Sequence, residues 1–350
     1  MRVKFAHVLR FFSGGKIENV NQSLLIDEYK RRLNYLRVSI TDRCNLRCTY
    51  CVPHTRIPKL HHKDILRYEE ILRIVGVGAR LGISKIRITG GEPLIRKGVY
   101  DFLQKIRSIE GISDLSLTTN GALLAENLER VRAAGIRRIN VSLDTLDREK
   151  YQRITGGDMF QRVWQAILQA DAMGFAPIKI NVVVLRGVNE NELEAMAKLT
   201  FDFPFHVRFI EHMPIGRCAA ADPHPLLTPE IQQRLAGLGP LEEIRRNPND
   251  GPAVRYRLPG ARGELGFISA LSRHFCRTCN RLRLTASGQL RACLLADQQE
   301  DLKTPLRSGC SDEELAAIFF RTARRKAHHH CVPAGGSGGQ VSGQMSAIGG

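Results

Sequence analysis

Three cysteines within eight residues give the strongest chemical signal in this sequence. Cys44, Cys48 and Cys51 are spaced C-x₃-C-x₂-C, and no further Cys or His completes a close-spaced tetrad, although three histidines follow at 54, 61 and 62. Structural zinc is almost always four-coordinate, so a zinc ion would lack a ligand here. Clustered thiolates also hold iron–sulfur clusters. Three thiolates on a four-iron cluster leave one iron open to an exchangeable ligand, and we predict such a [4Fe–4S] cluster at this triplet.

A second cysteine triplet lies near the other end of the chain. Cys276, Cys279 and Cys293 are spaced C-x₂-C-x₁₃-C, and His274 stands beside them. A C-x₂-C pair with a nearby histidine is common in zinc sites, and the same thiolates suit an iron–sulfur cluster. Spacing alone therefore leaves zinc and iron–sulfur equally favoured at this triplet.

Two arginines directly after the C-x₂-C pair favour an anionic ligand. Arg281 and Arg283 flank Leu282 at the start of a strand-like segment. Because side chains alternate along a strand, the two arginines point to the same face. Two guanidinium groups on one face beside a metal can clamp a phosphate or contact a purine edge. The triplet and the arginines together predict a site for a metal centre and a phosphorylated ligand.

The charge balance points to an anionic small molecule more than to nucleic acid. The net charge is +17, and nucleic acid is the usual partner of so basic a chain. Aromatic residues make up only 6% of the sequence, however, and no basic run is interleaved with them. The arginines are scattered at the ends of strand-like segments, which suits a nucleoside triphosphate at least as well.

Length and cysteine usage exclude several classes of protein. The chain has 350 residues, 43% of them hydrophobic, which is enough for a large core and suits one big domain with a smaller one. Nine cysteines, six of them in two triplets, are typical of metal sites in a reducing compartment and not of a disulfide framework. No apolar run approaches the roughly 20 residues that span a bilayer. We therefore expect a cytoplasmic protein that is not embedded in a membrane.

Alternating strand and helix patterns must position these residues. Six β-branched segments are predicted as strands at 36–41, 85–89, 115–119, 138–143, 179–185 and 206–211. Amphipathic segments between them are predicted as helices at 69–81, 97–109, 122–134, 160–173 and 190–200. Six β/α units in series predict a parallel sheet, two units short of a closed barrel. An incomplete (β/α)₆ TIM-like barrel is our first choice, and a doubly wound open sheet is the alternative.

The division of the chain follows from composition. Residues 1–33 form a basic N-terminal leader, for which an organellar transit segment is the less favoured interpretation. Residues 34–250 are assigned to the partial barrel and residues 251–332 to a C-terminal region with the second triplet. The barrel pattern fades after Cys218, with short helices expected at 229–236 and 313–326. Residues 333–350 are a Gly-rich tail that ends in Gly-Gly.

The first triplet and its neighbourhood resemble a known superfamily. The loop T-D-R-C-N-L-R-C-T-Y-C, residues 41–51, is similar to the cluster loop of radical S-adenosylmethionine (SAM) enzymes. In that superfamily C-x₃-C-x-aromatic-C holds a [4Fe–4S] cluster whose open iron binds SAM, and a 5′-deoxyadenosyl radical then removes hydrogen from the substrate. Gly90-Gly91-Glu92, after the second predicted strand, resembles the GGE segment that binds the amino group of SAM.

Both triplets together resemble one family more closely, that of molybdenum cofactor biosynthesis protein A, the GTP 3′,8-cyclases. The resemblance runs over about residues 34 to 350. The segments that carry it are L-R-V-S-I-T-D-R-C at 36–44, R-I-T-G-G-E-P at 87–93, T-T-N-G at 118–121, N-V-S-L-D at 140–144, K-I-N-V at 179–182 and E-H-M-P at 211–214. It implies radical cyclisation of GTP, the first step of molybdenum cofactor biosynthesis, in a cavity between two [4Fe–4S] clusters.

The resemblance also implies roles for single residues. The positions matching the family's GTP contacts are Arg37, Arg87, Thr118, Lys179, Arg281 and Arg283. The positions matching its SAM contacts are Tyr50, Gly91, Ser142 and Met213. The cluster ligands would be Cys44, Cys48, Cys51, Cys276, Cys279 and Cys293, and the tail Gly349-Gly350 would reach the active site.

The implied partners are GTP, an electron donor such as flavodoxin or ferredoxin, and the next enzyme, cyclic pyranopterin monophosphate synthase. Neither nucleic acid nor a membrane is expected, and a homodimer is compatible with the resemblance. The chain departs from the family after Cys51, where His54-Thr55 replaces two acids. Cys218, Cys310 and Cys331 match no ligand position and are interpreted as ordinary thiols.

Two other functions remain as hypotheses. A radical SAM enzyme that modifies peptides also carries an auxiliary cluster near its C-terminus, although usually with more cysteines than the three seen here. A zinc-bearing nucleic-acid-binding protein is the alternative that net charge alone suggests.

Overall fold

A twelve-stranded sheet and ten α-helices make up the part of the chain that the computed structural model describes, residues 24–51, 59–215, 224–247, 250–329 and 345–349. The strands are β1 Tyr35–Ser39, β2 Lys85–Thr89, β3 Asp114–Thr119, β4 Arg138–Ser142, β5 Ile178–Val184, β6 His206–Glu211, β7 Glu242–Glu243, β8 Val254–Arg257, β9 Glu264–Ile268, β10 Arg281–Leu284, β11 Gln289–Arg291 and β12 Gln299–Asp301. The helices are α1 Tyr68–Arg80, α2 Val99–Arg107, α3 Leu128–Ala133, α4 Arg148–Thr155, α5 Phe160–Ala172, α6 Leu193–Asp202, α7 Thr228–Arg234, α8 Lys303–Arg307, α9 Asp312–Arg324 and α10 Met345–Ile348.

The order of the strands is that of an incomplete barrel. Strands β1 to β6 are neighbours in sequence order, and each pairs in parallel with the next. A doubly wound sheet would reverse its order at a switch point, and no reversal occurs within these six strands. The sheet ends at β12 on one side and β7 on the other. The predicted (β/α)₆ class is therefore confirmed over the doubly wound alternative.

The C-terminal strands extend both edges of the six-stranded core. Strand β9 pairs in parallel with β6, with Arg208 opposite Gly266. Strand β10 pairs in parallel with β1, with Arg37 opposite Arg283. Antiparallel strands continue the sheet beyond each of them. The same region of sequence thus reaches both sides of the opening that six strands leave.

The two faces of the core strands have opposite chemistry. Leu36, Val38, Ile86 and Ile88 are fully buried in the main apolar core, which they share with the helix residue Ile74 and its neighbours. The residues between them, such as the two arginines at 37 and 87, point to the other face. A closed TIM barrel fills this inner space with branched apolar side chains. Here polar and charged side chains line it and leave room for a ligand.

Most predicted elements lie within a few residues of their observed bounds, and three findings refine them. The predicted 122–134 helix is observed as a short 3₁₀ turn, Ala125–Asn127, followed by α3. Helix α4 was not predicted. Of the short strands after residue 240, only β10 corresponds to a strand-like segment recognised in the sequence. These strands are two to five residues long, too short to show a clear period of alternation.

The last ten residues of the predicted leader pack onto the fold. Leu25 and Leu33 are buried in the main core, and the Leu25 N–H donates to the Leu81 carbonyl at 2.9 Å. Arg31 is also buried and pairs with Asp27. Residues 1–23 lie outside the described residues. No helix in the described segments has the length and apolar character needed to cross a bilayer.

Candidate active site

A cavity of about 540 Å³ lies at the carboxyl ends of the barrel strands, and both cysteine triplets line it. Of the residues predicted for the site, the following line this cavity: Arg37, Cys44, Cys48, Tyr50, Cys51, Arg87, Gly91, Thr118, Ser142, Met213, Cys276, Cys279, Arg281, Arg283 and Cys293. Lys179 is not among the lining residues. Residues 52–58, with the His54-Thr55 departure, and Cys218, Cys331 and Gly350 lie outside the described residues.

The first triplet sits on a loop that the neighbouring helix holds in place. The N–H groups of Arg47 and Thr49 donate to the carbonyls of Thr155 and Ile154 at the end of α4, at 2.8 and 2.9 Å. The Cys51 N–H donates to the Cys48 carbonyl, which closes a turn between the two cysteines. Helix α4, absent from the sequence prediction, therefore fixes the backbone of the cluster loop.

Gly91 lets the Gly-Gly-Glu segment lie against the cluster loop. A Cβ atom at this position would stand 2.2 Å from the Arg43 carbonyl oxygen, closer than any real contact. The N–H groups of Gly91 and Glu92 donate to the carbonyls of Thr41 and Arg43, at 2.7 and 2.8 Å. The glycine is thus required by the approach of two protein segments, independently of any ligand.

Glu92 connects this segment to the end of β3. Its carboxylate accepts hydrogen bonds from the Thr119 hydroxyl at 2.9 Å and from the Asn120 N–H at 2.7 Å. Burial raises the pKa of Glu92 to about 7, although these bonds lower it. The Asn120 side chain in turn lies 3.6 Å from the Cys44 Sγ and donates to it. Sequence reasoning assigned no role to Asn120, which follows the predicted Thr118 by two positions.

Tyr50 is held from the opposite strands. Its hydroxyl donates to Asp144 Oδ2 at 2.7 Å, and the other carboxylate oxygen accepts the Val183 N–H at 2.8 Å. Burial raises the pKa of Tyr50 well above its ordinary value and that of Asp144 to about 6. The pair is therefore a neutral hydroxyl on a carboxylate at neutral pH. Asp144 belongs to the N-V-S-L-D segment, yet sequence reasoning gave it no role.

In the second triplet, Cys276 lies on a 3₁₀ turn, Phe275–Thr278, Cys279 directly follows this turn before β10, and Cys293 follows β11. Burial raises the pKa of Cys279, but the charges of Lys326 and Arg281 outweigh it and lower that pKa to about 6. The thiolate, which is the form that binds metals, is thus favoured at neutral pH. Arg31 donates to the Cys276 carbonyl at 2.7 Å and joins the N-terminal segment to this site.

A set of buried cations occupies the cavity floor between the two triplets. Burial and neighbouring arginines lower the pKa of Arg208 to about 9 and that of Arg283 well below its ordinary value. Burial, opposed by the charge of Tyr35 and assisted by that of Arg87, lowers the pKa of Arg37 to about 10. Cations whose charged forms are destabilised in this way would gain from a bound polyanion. Arg208 was missed by sequence reasoning, although a charged residue inside the buried strand H-V-R-F-I-E is an available signal.

Lys179 is a buried neighbour of these cations that does not line the cavity. Burial, helped by the charges of Arg208 and Arg87, lowers its pKa to about 5. Gly266, opposite Arg208 in the sheet, leaves room for that arginine, because a Cβ there would stand 3.1 Å from the Arg208 Cγ. The lysine thus belongs to the same electrostatic group as the lining arginines without lining the cavity itself.

The end of the described chain reaches the cavity from the side of the second triplet. Met345 and Ser346 line it, and the Gly349 carbonyl accepts a hydrogen bond from Arg283 at 2.8 Å. Ile348 packs into a small apolar cluster with Leu294 and Leu295. A Cβ on Gly349 would stand 2.8 Å from the Thr89 side chain, so only glycine fits between β1 and β2 at this point.

The donor atoms suit iron–sulfur clusters and a polar ligand. All six triplet cysteines are free thiols of intermediate exposure, neither packed in the core nor on the open surface. Cys310, by contrast, packs against the core away from the cavity. Thr118 Oγ1 and Asn181 Oδ1 are buried beside the cavity without a hydrogen-bond partner in the described structure, as ligand-binding groups would be. No three His, Cys, Asp or Glu side chains of the described segments converge as single-ion ligands. A four-iron cluster is a larger object whose thiolates stand further apart.

Family models and curated relatives agree on the family to which this chain belongs. Residues 38–200 match the model of the Radical SAM superfamily, and residues 205–332 match Molybdenum Cofactor Synthesis C. A GTP 3′,8-cyclase of Moorella thermoacetica is 47% identical over 93% of this chain and 99% of the relative. A GTP 3′,8-cyclase of Pelotomaculum thermopropionicum is also 47% identical, over 93% of this chain and 99% of the relative.

Solved structures support the fold. Streptococcus suis SuiB bound to S-adenosylmethionine has a TM-score of 0.56 and 14% identity, over 83% of this chain and 69% of that one. SuiB bound to its precursor peptide SuiA has a TM-score of 0.58 and 13% identity, over 84% of this chain and 66% of that one. At 13–14% sequence identity, the similarity to these two structures shows a shared fold and nothing more. The two domain models and the 47% identity over nearly full length place this chain in the GTP 3′,8-cyclase family of radical SAM enzymes.

Proposed function

We propose that this chain binds SAM and GTP at opposite ends of the described cavity and converts GTP to (8S)-3′,8-cyclo-7,8-dihydroguanosine 5′-triphosphate. The observation that carries the proposal is the placement of two cysteine triplets and a group of buried cations on one cavity. Membership of the GTP 3′,8-cyclase family makes this reaction, the first step of molybdenum cofactor biosynthesis, the function of the enzyme. It is a lyase that uses an iron–sulfur cluster and SAM.

Cys44, Cys48 and Cys51 would hold the first cluster. When bound, this cluster and SAM supply the radical that removes a hydrogen atom from the substrate. The lining residues Tyr50, Gly91, Ser142 and Met213 would hold SAM. The loop residues are fixed by α4 and by the Gly-Gly-Glu segment, so they need little reorganisation on binding.

The other end of the cavity would hold GTP. We assign the triphosphate to Arg37 and Arg87, which line the cavity together with Arg208. The pKa values of Arg37, Arg208 and Lys179 are lowered, and such buried cations are stabilised by an anion. Thr118 offers an unpartnered hydroxyl to the same ligand. Arg281 and Arg283 lie beside the second triplet, where they would orient the purine.

Cys276, Cys279 and Cys293 would hold a second [4Fe–4S] cluster. Sequence spacing left zinc as an equal alternative, and family membership favours iron–sulfur. An incomplete set of three thiolates leaves one iron open, which suits a cluster that also binds substrate. Metal analysis of protein prepared without oxygen would find about eight irons per chain for two clusters. About four irons with one zinc would instead assign zinc to the second triplet.

The activity is tested by mixing anaerobically reconstituted enzyme with GTP, SAM and a reductant. We expect 5′-deoxyadenosine to form only when GTP is present, together with the cyclised nucleotide. Formation of 5′-deoxyadenosine that does not depend on GTP would contradict the proposed substrate. The cluster-free Cys48→Ala variant serves as the control for chemistry that does not need the first cluster.

The assignment of the two arginines beside the second triplet makes a separate prediction. Changing Arg281 or Arg283 to Ala should weaken GTP binding about tenfold or more, because each removes a charged hydrogen bond to the nucleotide. The iron content should stay at the wild-type value in both variants. Unchanged GTP affinity in both would mean that the nucleotide binds elsewhere.

The remaining partners belong to the proposal as well. A low-potential carrier such as flavodoxin or ferredoxin would supply the electron, and cyclic pyranopterin monophosphate synthase would take the product. The described cysteines are all free thiols, which suits a reducing compartment such as the cytoplasm. A homodimer is compatible with this scheme, and activity is assigned to a single chain because both triplets line one cavity.

A further inference from the structure

Lys326, just after α9, is a buried cation to which none of the preceding assignments gives a role. Its residue is only 3% exposed. Its ammonium group donates to the Arg281 carbonyl at 2.9 Å and to the Ala292 carbonyl at 2.6 Å. Arg281 follows Cys279 by two positions, and Ala292 directly precedes Cys293. The ammonium group therefore bridges the two chain segments that carry these cysteines.

The hydrogen bonds of Lys326 do not balance its charge. Carbonyl oxygens are neutral, and a buried ammonium group is costly unless an anion lies near it. Three carboxylates of the surrounding segments have other cations: Asp27 pairs with Arg31, Asp297 with Arg291, and Glu300 with Arg321 and Arg325. The cysteines of the second triplet line the same cavity as Lys326 and become anionic when they bind a metal centre.

Arg31 fixes the backbone on which Lys326 stands. Its guanidinium group donates to the carbonyls of Lys326 and Ala327 at 3.0 and 2.9 Å, and to the Cys276 carbonyl at 2.7 Å. A single side chain thus joins the segment that bears the lysine to the segment that bears the first cysteine of the triplet. Asp27 balances the charge of Arg31 itself, so Lys326 and Arg281 are the cations beside Cys279, and only Lys326 also holds the backbone next to Cys293.

We propose that Lys326 is a positioning residue and the counter-ion of the C-terminal cluster, which it holds in register and whose reduced state it stabilises. This inference rests on the proposed second cluster. A positive charge in a buried site beside a cluster lowers the free energy of the state with one more electron. Charge and hydrogen bonding around a cluster are among the factors that set its reduction potential. Lys326 thereby keeps that potential higher than a neutral residue would.

The test uses the full-length enzyme with both clusters and three substitutions. Lys326→Met keeps the length of the side chain and removes its charge, and Lys326→Arg keeps the charge. Lys198→Met, on the exposed face of α6, is the matched control for loss of one lysine. Iron is counted per chain, and the reduction potential is measured by an electron paramagnetic resonance titration. The signal of the C-terminal cluster is identified as the one that GTP changes.

We expect the potential of that signal to fall in Lys326→Met and to stay at the wild-type value in the other two variants. A loss of about four irons from Lys326→Met, but not from Lys326→Arg, would equally support the role. An unchanged potential with full iron in Lys326→Met would overturn the proposal, as would equal losses of iron in the Met and Arg variants. About four irons in the wild type would instead overturn the second cluster itself.

Discussion

At the scale of single residues, the hydroxyl of Tyr50 joins the cluster loop to the far strands of the barrel. Asp144 follows β4, and its carboxylate accepts two hydrogen bonds, one from the Val183 N–H in β5 and one from the Tyr50 hydroxyl. The Asn189 side chain donates to the Asp144 backbone carbonyl at 2.8 Å and so holds the backbone of this residue in place. Tyr50 is therefore oriented by a rigid acceptor. We regard Asp144 as a residue that positions the aromatic side chain at the proposed SAM site.

Tyr50→Phe and Asp144→Asn should weaken SAM binding by similar amounts, about tenfold each, because each removes the same charged hydrogen bond. The double variant should be little worse than either single variant, since the bond can be lost only once. SAM affinity is measured by calorimetry on reconstituted enzyme, with iron content as the control for an intact cluster. Fully additive losses would mean that the two side chains act independently.

Gly91 and Gly76 give a matched pair of glycine substitutions. Gly91→Ala would push a methyl group into the Arg43 backbone, so the cluster loop must shift, and we expect the first cluster to be lost. Gly76 lies in α1 with nothing within 4 Å of an added Cβ, and Gly76→Ala should leave iron unchanged and stability equal or slightly higher. Iron per chain after reconstitution measures both. Full iron in Gly91→Ala would show that the loop tolerates the displacement.

At the scale of elements, one buried carboxylate attaches the C-terminal helices to the barrel. Glu70, in the first turn of α1, accepts hydrogen bonds from the Arg307 guanidinium group on α8 at 2.8 and 3.1 Å. It also accepts the Arg67 N–H at 2.6 Å and so caps its own helix. Arg73 on α1 binds Asp312 at the start of α9. Helix α1 thus carries the region that extends the β1 edge of the sheet.

The Glu70–Arg307 pair should make stability depend on pH. Burial would raise the pKa of Glu70, but the bonds from Arg307 and Arg67 outweigh it and hold the pKa below its ordinary value. The pair stabilises the fold above the ordinary carboxyl pKa, near 4.3, and loses its effect as the pH falls through the lower folded value. Glu70→Gln should lower the melting temperature by about 4 °C at pH 7 and by less below about pH 4.

Scanning calorimetry across pH tests this expectation. The exposed pair Arg148–Asp158 provides the control, because Asp158→Asn should leave the melting temperature nearly unchanged at every pH. A constant gap between the wild type and Glu70→Gln down to about pH 3 would contradict the role of the carboxylate charge.

The elements also show how far a sequence can predict this fold. The bounds of β2 and β6 were predicted to the residue, because buried β-branched runs between amphipathic helices are an unambiguous signal. Helix α4, R-E-K-Y-Q-R-I-T, has only two large apolar residues, so its period was not visible. The pairing of β9 and β10 with opposite edges of the core depends on contacts between distant segments, which spacing along one chain does not encode.

The same limit applies to the site. Spacing alone indicated the first cysteine triplet, the strand positions of Arg281 and Arg283 indicated an anionic ligand, and resemblance supplied Arg37 and Arg87. Asn120 and Asp144 were missed because their importance arises from hydrogen bonds to residues that are distant in sequence, Glu92 and Cys44 for the first and Tyr50 and Val183 for the second. Lys179 differs from the other assignments, since it does not line the cavity although the charges of Arg208 and Arg87 act on it.

At the scale of the whole molecule, the barrel floor concentrates positive charge that a bound anion would stabilise. Burial raises the pKa of Tyr35, yet Arg87, Arg37, Lys85 and Arg281 outweigh it and lower that pKa to about 8. Burial alone would raise the pKa of this phenol, so its lowered value shows that the surrounding electrostatic potential is strongly positive. The +17 net charge of the chain is therefore partly located at the point where the triphosphate is proposed to bind.

GTP binding should consequently take up protons through Lys179. With a pKa of about 5, this amine is neutral at pH 7.5 in the free enzyme, and a bound triphosphate raises its pKa towards the ordinary range near 10.4. We expect an uptake of about one proton per GTP, seen as a binding enthalpy that changes with the ionisation enthalpy of the buffer.

Lys179→Met should remove most of this proton uptake, while the smaller contribution of Tyr35 remains in both proteins. Because no reductant is present, GTP stays intact during the titration. Equal uptake in the two proteins would place the triphosphate away from Lys179.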